Sequence, residues 1–202
     1  MKRITIAGLP HHIIQRGLQS RQTFLSNNHY AAYLKIMAEC SCRHGVEIWA
    51  YCLMPDHVHL IAIPREKKSL SSCLRAAHGR YTRYINRLTG SSGQFWQGRY
   101  ASHLLDEQYL IACARYIEIN PVKREYVTQP EDWPWSSAKA HITKSDDLLV
   151  KTKPLLQRIK RDWRDFLAET RPVEEADLFY LHEKNGRPLG SDAFLTMAEK
   201  RD

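Results

Sequence analysis

The chain has 202 residues, of which 43% are hydrophobic and 26% charged, the balance of one sizeable globular domain with an appendage rather than of a disordered or fibrous protein. Thirty Lys and Arg against 22 Asp and Glu give a formal charge of +8, which favours a polyanionic partner. No apolar run reaches the roughly 18–20 residues of a membrane-spanning helix and MKRITIAGLPHH is interrupted too early for a signal peptide, so a cytoplasmic protein without a membrane partner is expected.

In chain order, Pro10 to Arg16 reads as a short strand. Asn27 to His44 reads as a helix with Tyr30, Tyr33, Leu34 and Met37 at helical spacing, ended by Gly45. Two β-rich segments follow, Val46 to Leu53 and His57 to Ile63, joined by Met54-Pro55-Asp56, a connection short enough for an antiparallel hairpin. Ser69 to Leu88 reads as a second helix with Leu70, Leu74, Ala77, Tyr81, Ile85 and Leu88 on its inner stripe. TGSSG (89–93) is turn material, after which Gln97 to Leu104 forms a fourth strand and Glu107 to Asn120 a third helix. The order β-α-β-β-α-β-α matches a split βαβ, ferredoxin-like α+β arrangement with one extra helix: a layered antiparallel sheet with helices on one side.

After about Ser137 the character changes. Thr152 to Glu169 is patterned as an amphipathic basic helix through Leu155, Leu156, Ile159, Trp163 and Phe166, NGRPLGS is a turn, and Ser191 caps a last short helix. The expected division is therefore 1–137 and a helical, basic extension from 138 to 202 that packs on the core or reaches for DNA. Five cysteines, Cys40, Cys42, Cys52, Cys73 and Cys113, lack CxxC spacing and read as reduced, largely buried thiols.

Chemistry concentrates in two places. Alternation along the strand sends His57 and His59 to one face, about 7 Å apart, where they can share a metal ion. Tyr116 and Asn120, four residues apart, project from one face of the third helix. The Asn120 amide oxygen suits Mg²⁺ or Mn²⁺, and Pro121 places it at a helix end. His11 and His12 stay outside this set, since adjacent strand residues face opposite ways and at most one can join it. Between 65 and 99, eight basic residues stand against the single acid Glu66, a phosphate-binding face. Arg75, Arg80, Arg83 and Arg87 recur there at helical spacing beside Tyr81 and Tyr84. Trp96, Gln97, Arg99 and Tyr100 are placed to shape a DNA channel, Arg16 and Arg21 are DNA contacts of low specificity, and Trp133 and Trp135 read as packing residues.

The runs AYCLMPDHVHLI, GRYTRYINRLTGSSGQFWQGRY, CARYIEINPVKREYV and DWPWSSAKAH, in that order, resemble the REP-associated tyrosine transposases, relatives of the insertion-sequence HUH single-tyrosine transposases. The resemblance covers most of residues 8 to 141, and GRPLGSDAF is similar to the family's tail. It implies an HUH nuclease core, a metal held by His57, His59 and Asn120, and Tyr116 as the nucleophile of a single-stranded DNA endonuclease and strand transferase working through a 5′-phosphotyrosine. The implied partner is hairpin DNA of palindromic REP type, with Lys123 and Arg187 added to the DNA contacts and the protein a monomer or homodimer. Asp56 stands where many relatives carry Asn. Two other readings share these residues: a replication or mobilisation HUH nuclease, and a DNA-binding repressor that does not cut.

Overall fold

The computed structural model describes residues 4–169, 179 and 189–201. Strands β1 (His11–Arg16), β2 (Val46–Met54), β3 (His57–Pro64) and β4 (Ala101–Leu104) form one sheet in the order β2-β3-β1-β4, every neighbouring pair antiparallel. A split βαβ generates that order when the β2–β3 hairpin lies beside β1 and β4 returns on the far side. The expected ferredoxin-like α+β fold is the one observed, with the hairpin closed by the two residues Pro55 and Asp56.

Helices α1 (Asn27–His44) and α2 (Ser69–Thr89) cover one face of the sheet, and α3 (Glu107–Lys123) covers the other. Patterning had placed the helices on one side. The extra helix takes the opposite face because the central strands are apolar on both: Ile13, Leu53, Val58 and Leu60 pack under α1 and α2, while Ala50, Cys52 and Ile61 pack under α3. Helix α1 stops at Gly45, whose φ of +63° is a left-handed conformation that other residues adopt only with strain. On α2 the predicted inner stripe is buried except for Leu88, which is exposed.

Three elements differ from their predicted bounds. Strand β4 begins at Ala101 rather than Gln97; the ladder is interrupted around Gly98 at φ +60° and resumes out of register, where the Gln97 N–H donates to the Arg16 carbonyl at 2.8 Å. Helix α3 does not end at Asn120 but continues to Lys123 with Pro121 inside it. Near a helix end the missing proline N–H costs a single bond, and the Asn120 carbonyl still accepts from the Arg124 N–H at 3.0 Å. The predicted helix over 152–169 is two short ones, α5 (Lys153–Leu156) and α6 (Trp163–Ala168), preceded by α4 (Ala138–Ile142). Asp162 accepts from the Arg164 N–H and so starts α6 afresh. Leu155, Trp163 and Phe166 join Cys113 and Ile117 of α3 in one buried cluster, so α5 and α6 pack on the sheet's α3 face, while Ala140, Leu149 and Val150 join the cluster under α1 and α2. The last helix, Asp192–Arg201, follows Ser191, whose Oγ accepts from the Phe194 N–H at 3.4 Å.

Trp133 and Trp135 pack as expected: Trp135 stacks on Tyr30 at 4.8 Å, and the Trp133 indole donates to the Leu53 carbonyl at 3.1 Å. Of the cysteines, only Cys42 is exposed, and none of the five is in a disulfide. Among the described residues no helix is long and apolar enough to cross a membrane.

Buried imidazoles make this fold sensitive to acid. Burial holds His11 down at about 4 and His78 down at about 3, and it also depresses His12 and His59. An unfolded imidazole titrates near 6.5, so between that value and the folded ones the unfolded chain binds more protons. The stability of the neutral form is complete above about pH 6.5 and is lost as pH falls, each such group contributing a slope of up to about 1.4 kcal/mol per pH unit. Urea unfolding at a series of pH values is expected to show a steep loss from about pH 6.5 to about pH 4; a flat profile there would contradict the burial of these rings.

Candidate active site

Pairing register fixes what shares the α3 face. His57 and His59 of β3 stand opposite Arg16 and Ile14 of β1, and His12 stands opposite His103 of β4. The rings of His57 and His59 lie 4.7 Å apart, nearly perpendicular. Each has its Nδ1 engaged: that of His57 lies 2.5 Å from Asp56 Oδ1, and that of His59 lies 2.9 Å from His12 Nε2. The two Nε2 atoms are thereby left pointing away from these partners, and His59 Nε2 sits 3.4 Å from the Asn120 amide nitrogen. One turn before Asn120, the Tyr116 ring meets His59 edge-on at 5.7 Å and His12 at 6.3 Å, and Phe179 stacks on its other side at 5.1 Å. His57, His59, Asn120 and Tyr116 are thus brought together.

The donor set fits a divalent ion. Among the described residues no three His, Cys, Asp or Glu side chains form a metal cluster, so a cation here would rely on two imidazoles and an amide. A half-turn about χ2 exchanges the amide nitrogen of Asn120 for its oxygen, the atom that a hard cation takes. Burial, reinforced by His57, His12 and Arg16, lowers the pKa of His59 and keeps the ring neutral, the state a ligand needs. The hydrogen bonds to both Nδ1 atoms orient the rings in the manner of outer-shell partners at metal sites. Burial raises the pKa of the Cys52 thiol, across from His59, so no thiolate competes.

His12 belongs to this cluster, although patterning alone left it outside. The signal is in the sheet order: once β1 lies beside β3, alternation places residue 12 on the His59 face and residue 11 on the other. His11 instead bonds the Leu9 carbonyl at 2.8 Å and accepts from the Ile6 N–H. Patterning also missed His103, whose ring is 6.0 Å from that of His12.

The expected DNA contacts fall in several places. Arg16 lies on the histidine face, where its charge lowers the pKa of His12 and of His59. Lys123 Nζ is 5.9 Å from the Tyr116 ring, and Arg21 lies over the Phe95 ring at 4.4 Å. Arg75 and Arg99 line a groove between α2 and the segment before β4, and Arg83 reaches toward Gly79 beside it. Arg80 points the other way and pairs with Glu39 of α1 at 2.6 Å. Arg87 is exposed in the last turn of α2. Tyr81 is wholly buried, its hydroxyl donating to the Thr23 carbonyl, so it is core rather than a stacking platform. Arg187 lies outside the described residues.

The helix bearing Tyr116 and Asn120 is fastened from below by a side chain between them in sequence. Glu118, fully buried, receives hydrogen bonds from Ser137 Oγ at 2.5 Å and Trp163 Nε1 at 2.7 Å and bonds His141 Nδ1 at 2.6 Å. Arg115, one residue before Tyr116, donates to the Phe166 carbonyl at 2.9 Å and pairs with Glu169 at 2.7 Å. No sequence signal singled out either residue.

The family model described as IS200-like transposase matches residues 6–120. A Haemophilus influenzae protein assigned as a REP-associated tyrosine transposase is 30% identical over 160 residues, 69% of this chain and 88% of that protein. The REP-associated tyrosine transposase of Escherichia coli K12 is 27% identical over 125 residues, 59% of this chain and 71% of that one. Among solved structures, a REP-associated tyrosine transposase bound to a REP hairpin shares the fold with a TM-score of 0.63 at 23% identity, covering 85% of this chain and 97% of that one.

Removing the Glu118 carboxyl leaves the buried His141 Nδ1 and Trp163 Nε1 without their acceptor and Ser137 with only the Tyr51 carbonyl at 3.3 Å. Glu118→Ala is expected to destabilise the fold by about 3–5 kcal/mol, read as the shift in urea midpoint; a change under about 1 kcal/mol would mean that α3 is not held this way.

Proposed function

Because the chain belongs to the IS200-like transposase family and is a tyrosine transposase enzyme, we propose that it cuts and rejoins single-stranded DNA carrying a REP-type hairpin, with Tyr116 as nucleophile and His57, His59 and Asn120 as ligands of Mg²⁺ or Mn²⁺. The observation that carries this reading is the approach of the Tyr116 ring to His59 while His59 and Asn120 face each other at 3.4 Å.

When bound, the cation supplies Lewis-acid polarisation of the scissile phosphate and offsets charge that accumulates during attack. The remaining work falls to side chains. His57 and His59 present Nε2 because Asp56 and His12 hold their Nδ1 atoms. The Tyr116 oxygen attacks phosphorus; the new bond is P–O(Tyr), the bond broken is P–O3′, the phenolic proton passes to solvent, and the departing 3′ oxygen takes up a proton. A 5′-phosphotyrosine remains, and attack on it by a 3′-hydroxyl restores the phosphodiester without a nucleotide cofactor. Lys123, near the Tyr116 ring, and Arg16, on the histidine face, place positive charge where the phosphate sits. Arg75, Arg83, Arg87 and Arg99 contribute phosphate contacts, whereas Arg80 is held by Glu39. Residues 1–137 carry the chemistry in this reading, and those beyond brace α3.

Tyr116→Phe removes only the attacking oxygen. Cleavage of a single-stranded hairpin oligonucleotide in Mn²⁺ is expected to fall at least about a thousandfold, with the DNA dissociation constant nearly unchanged. Cleavage by that variant at the wild-type rate would exclude Tyr116 as nucleophile, and unaltered cleavage in excess chelator would exclude the cation.

A further inference from the structure

The helix that carries Tyr116 leads directly into an aromatic side chain that the proposed chemistry leaves idle. Tyr126 stands just beyond the end of α3 and is 51% exposed. One face of its ring lies on Trp133, the centroids 5.6 Å apart and the planes 26° from parallel. Trp133 is itself fixed, because its indole N–H donates to the Leu53 carbonyl at 3.1 Å and its ring meets Tyr30 edge-on at 6.1 Å. The backbone is fixed as well: the N–H groups of Glu125 and Tyr126 donate to the Val122 and Pro121 carbonyls, each at 2.9 Å. Glu125 holds this turn at φ +59°, a left-handed conformation that favours glycine. The open side of the Tyr126 ring is therefore a flat apolar surface whose ordering is complete before anything docks on it.

Its surroundings identify the occupant. Lys123, whose Nζ is 5.9 Å from the Tyr116 ring, and Arg124 immediately precede the turn. Arg124 is exposed and, among the described residues, takes part in no ion pair. Burial raises the pKa of Tyr30, and Cys52, Tyr126 and Asp56 around it raise it further. Tyr126 and Asp56, the partner of His57, thus stand about the same ring, and the exposed platform borders the candidate active site at the β2–β3 turn. A rigid aromatic face beside exposed positive charge suits an unstacked nucleobase and its phosphate.

We propose that Tyr126 is a specificity-determining residue: its open face stacks one nucleobase flanking the phosphate that Tyr116 attacks, with the phosphate of that nucleotide turned toward Arg124. The inference rests on the proposed function for its substrate and adds a reason for one base to be preferred there. Stacking strength sets such preferences, so the larger ring of a purine is favoured over a pyrimidine at that position.

The test uses the full chain, a fluorescent hairpin oligonucleotide with unpaired flanks, and copies of it in which one flanking nucleotide at a time is abasic. With the wild type, one abasic position is expected to weaken binding by about tenfold. Tyr126→Leu keeps an apolar side chain over Trp133 but no flat ring, so it is expected to melt close to the wild-type temperature. It is expected to bind the intact oligonucleotide about tenfold more weakly and to lose nothing further at that one position. Tyr126→Phe is expected to bind as wild type, since it keeps the ring. Arg124→Gln is expected to lower the salt slope by about 0.7, whereas Tyr126→Leu leaves the slope unchanged. Abasic penalties equal in Tyr126→Leu and wild type at every position, or no costly position at all, would overturn the assignment. Wild-type protein that neither binds nor cuts the hairpin oligonucleotide would instead defeat the proposed function, so the two failures are distinguishable.

Discussion

Everything in the active centre depends on where α3 lies across the sheet. Strand alternation delivers His57 and His59 to one face without further cost, but Tyr116 and Asn120 reach them only if the helix is held at the right rotation and depth. Glu118 and Arg115, on the flanks of Tyr116, tie the helix to Ser137, His141, Trp163 and Phe166, all beyond the strands. The segment after residue 137 is thus part of the scaffold of the site. Buried polar bonds suit this role because they have one satisfied geometry, whereas apolar packing alone tolerates sliding.

The histidine cluster shows the same economy. Four imidazoles on adjacent strands would repel one another if charged, and burial keeps His12 and His59 neutral. Neutrality allows the contact between His12 and His59, which fixes which nitrogen of His59 faces Asn120. Asp56 performs the equivalent task for His57. Asp56 gives His57 a charged partner, and that hydrogen bond lowers the Asp56 pKa.

Much of the fold was legible because the signals were local and mutually consistent. Helix α1 begins and ends where sequence patterning places it, since Gly45 offers the left-handed exit that the chain uses. The failures have separate causes, some local and some tertiary. Pro121 ends no helix because a last turn tolerates a missing donor. The periodic run over 152–169 breaks because Asp162 caps a new start and its apolar residues are drawn to different parts of the α3 face. In the site, His57, His59, Tyr116 and Asn120 were readable from spacing and family resemblance. His12, His103 and Glu118 were not, because their roles arise from strand order and from helix contacts that no local pattern encodes. The arginines of α2 share a helical spacing yet divide between the groove and Glu39, a distinction invisible before α1 is docked.

The central claim is that two imidazoles on β3 and the Asn120 side chain converge on one cation beside Tyr116. Electron spin-echo spectroscopy of the protein loaded with Mn²⁺ reads this directly through nitrogen couplings. The account predicts couplings from two imidazole nitrogens, with the His59 coupling lost in His59→Gln and the His57 coupling retained. A Mn²⁺ signal without imidazole coupling, or one unchanged by that substitution, would contradict it.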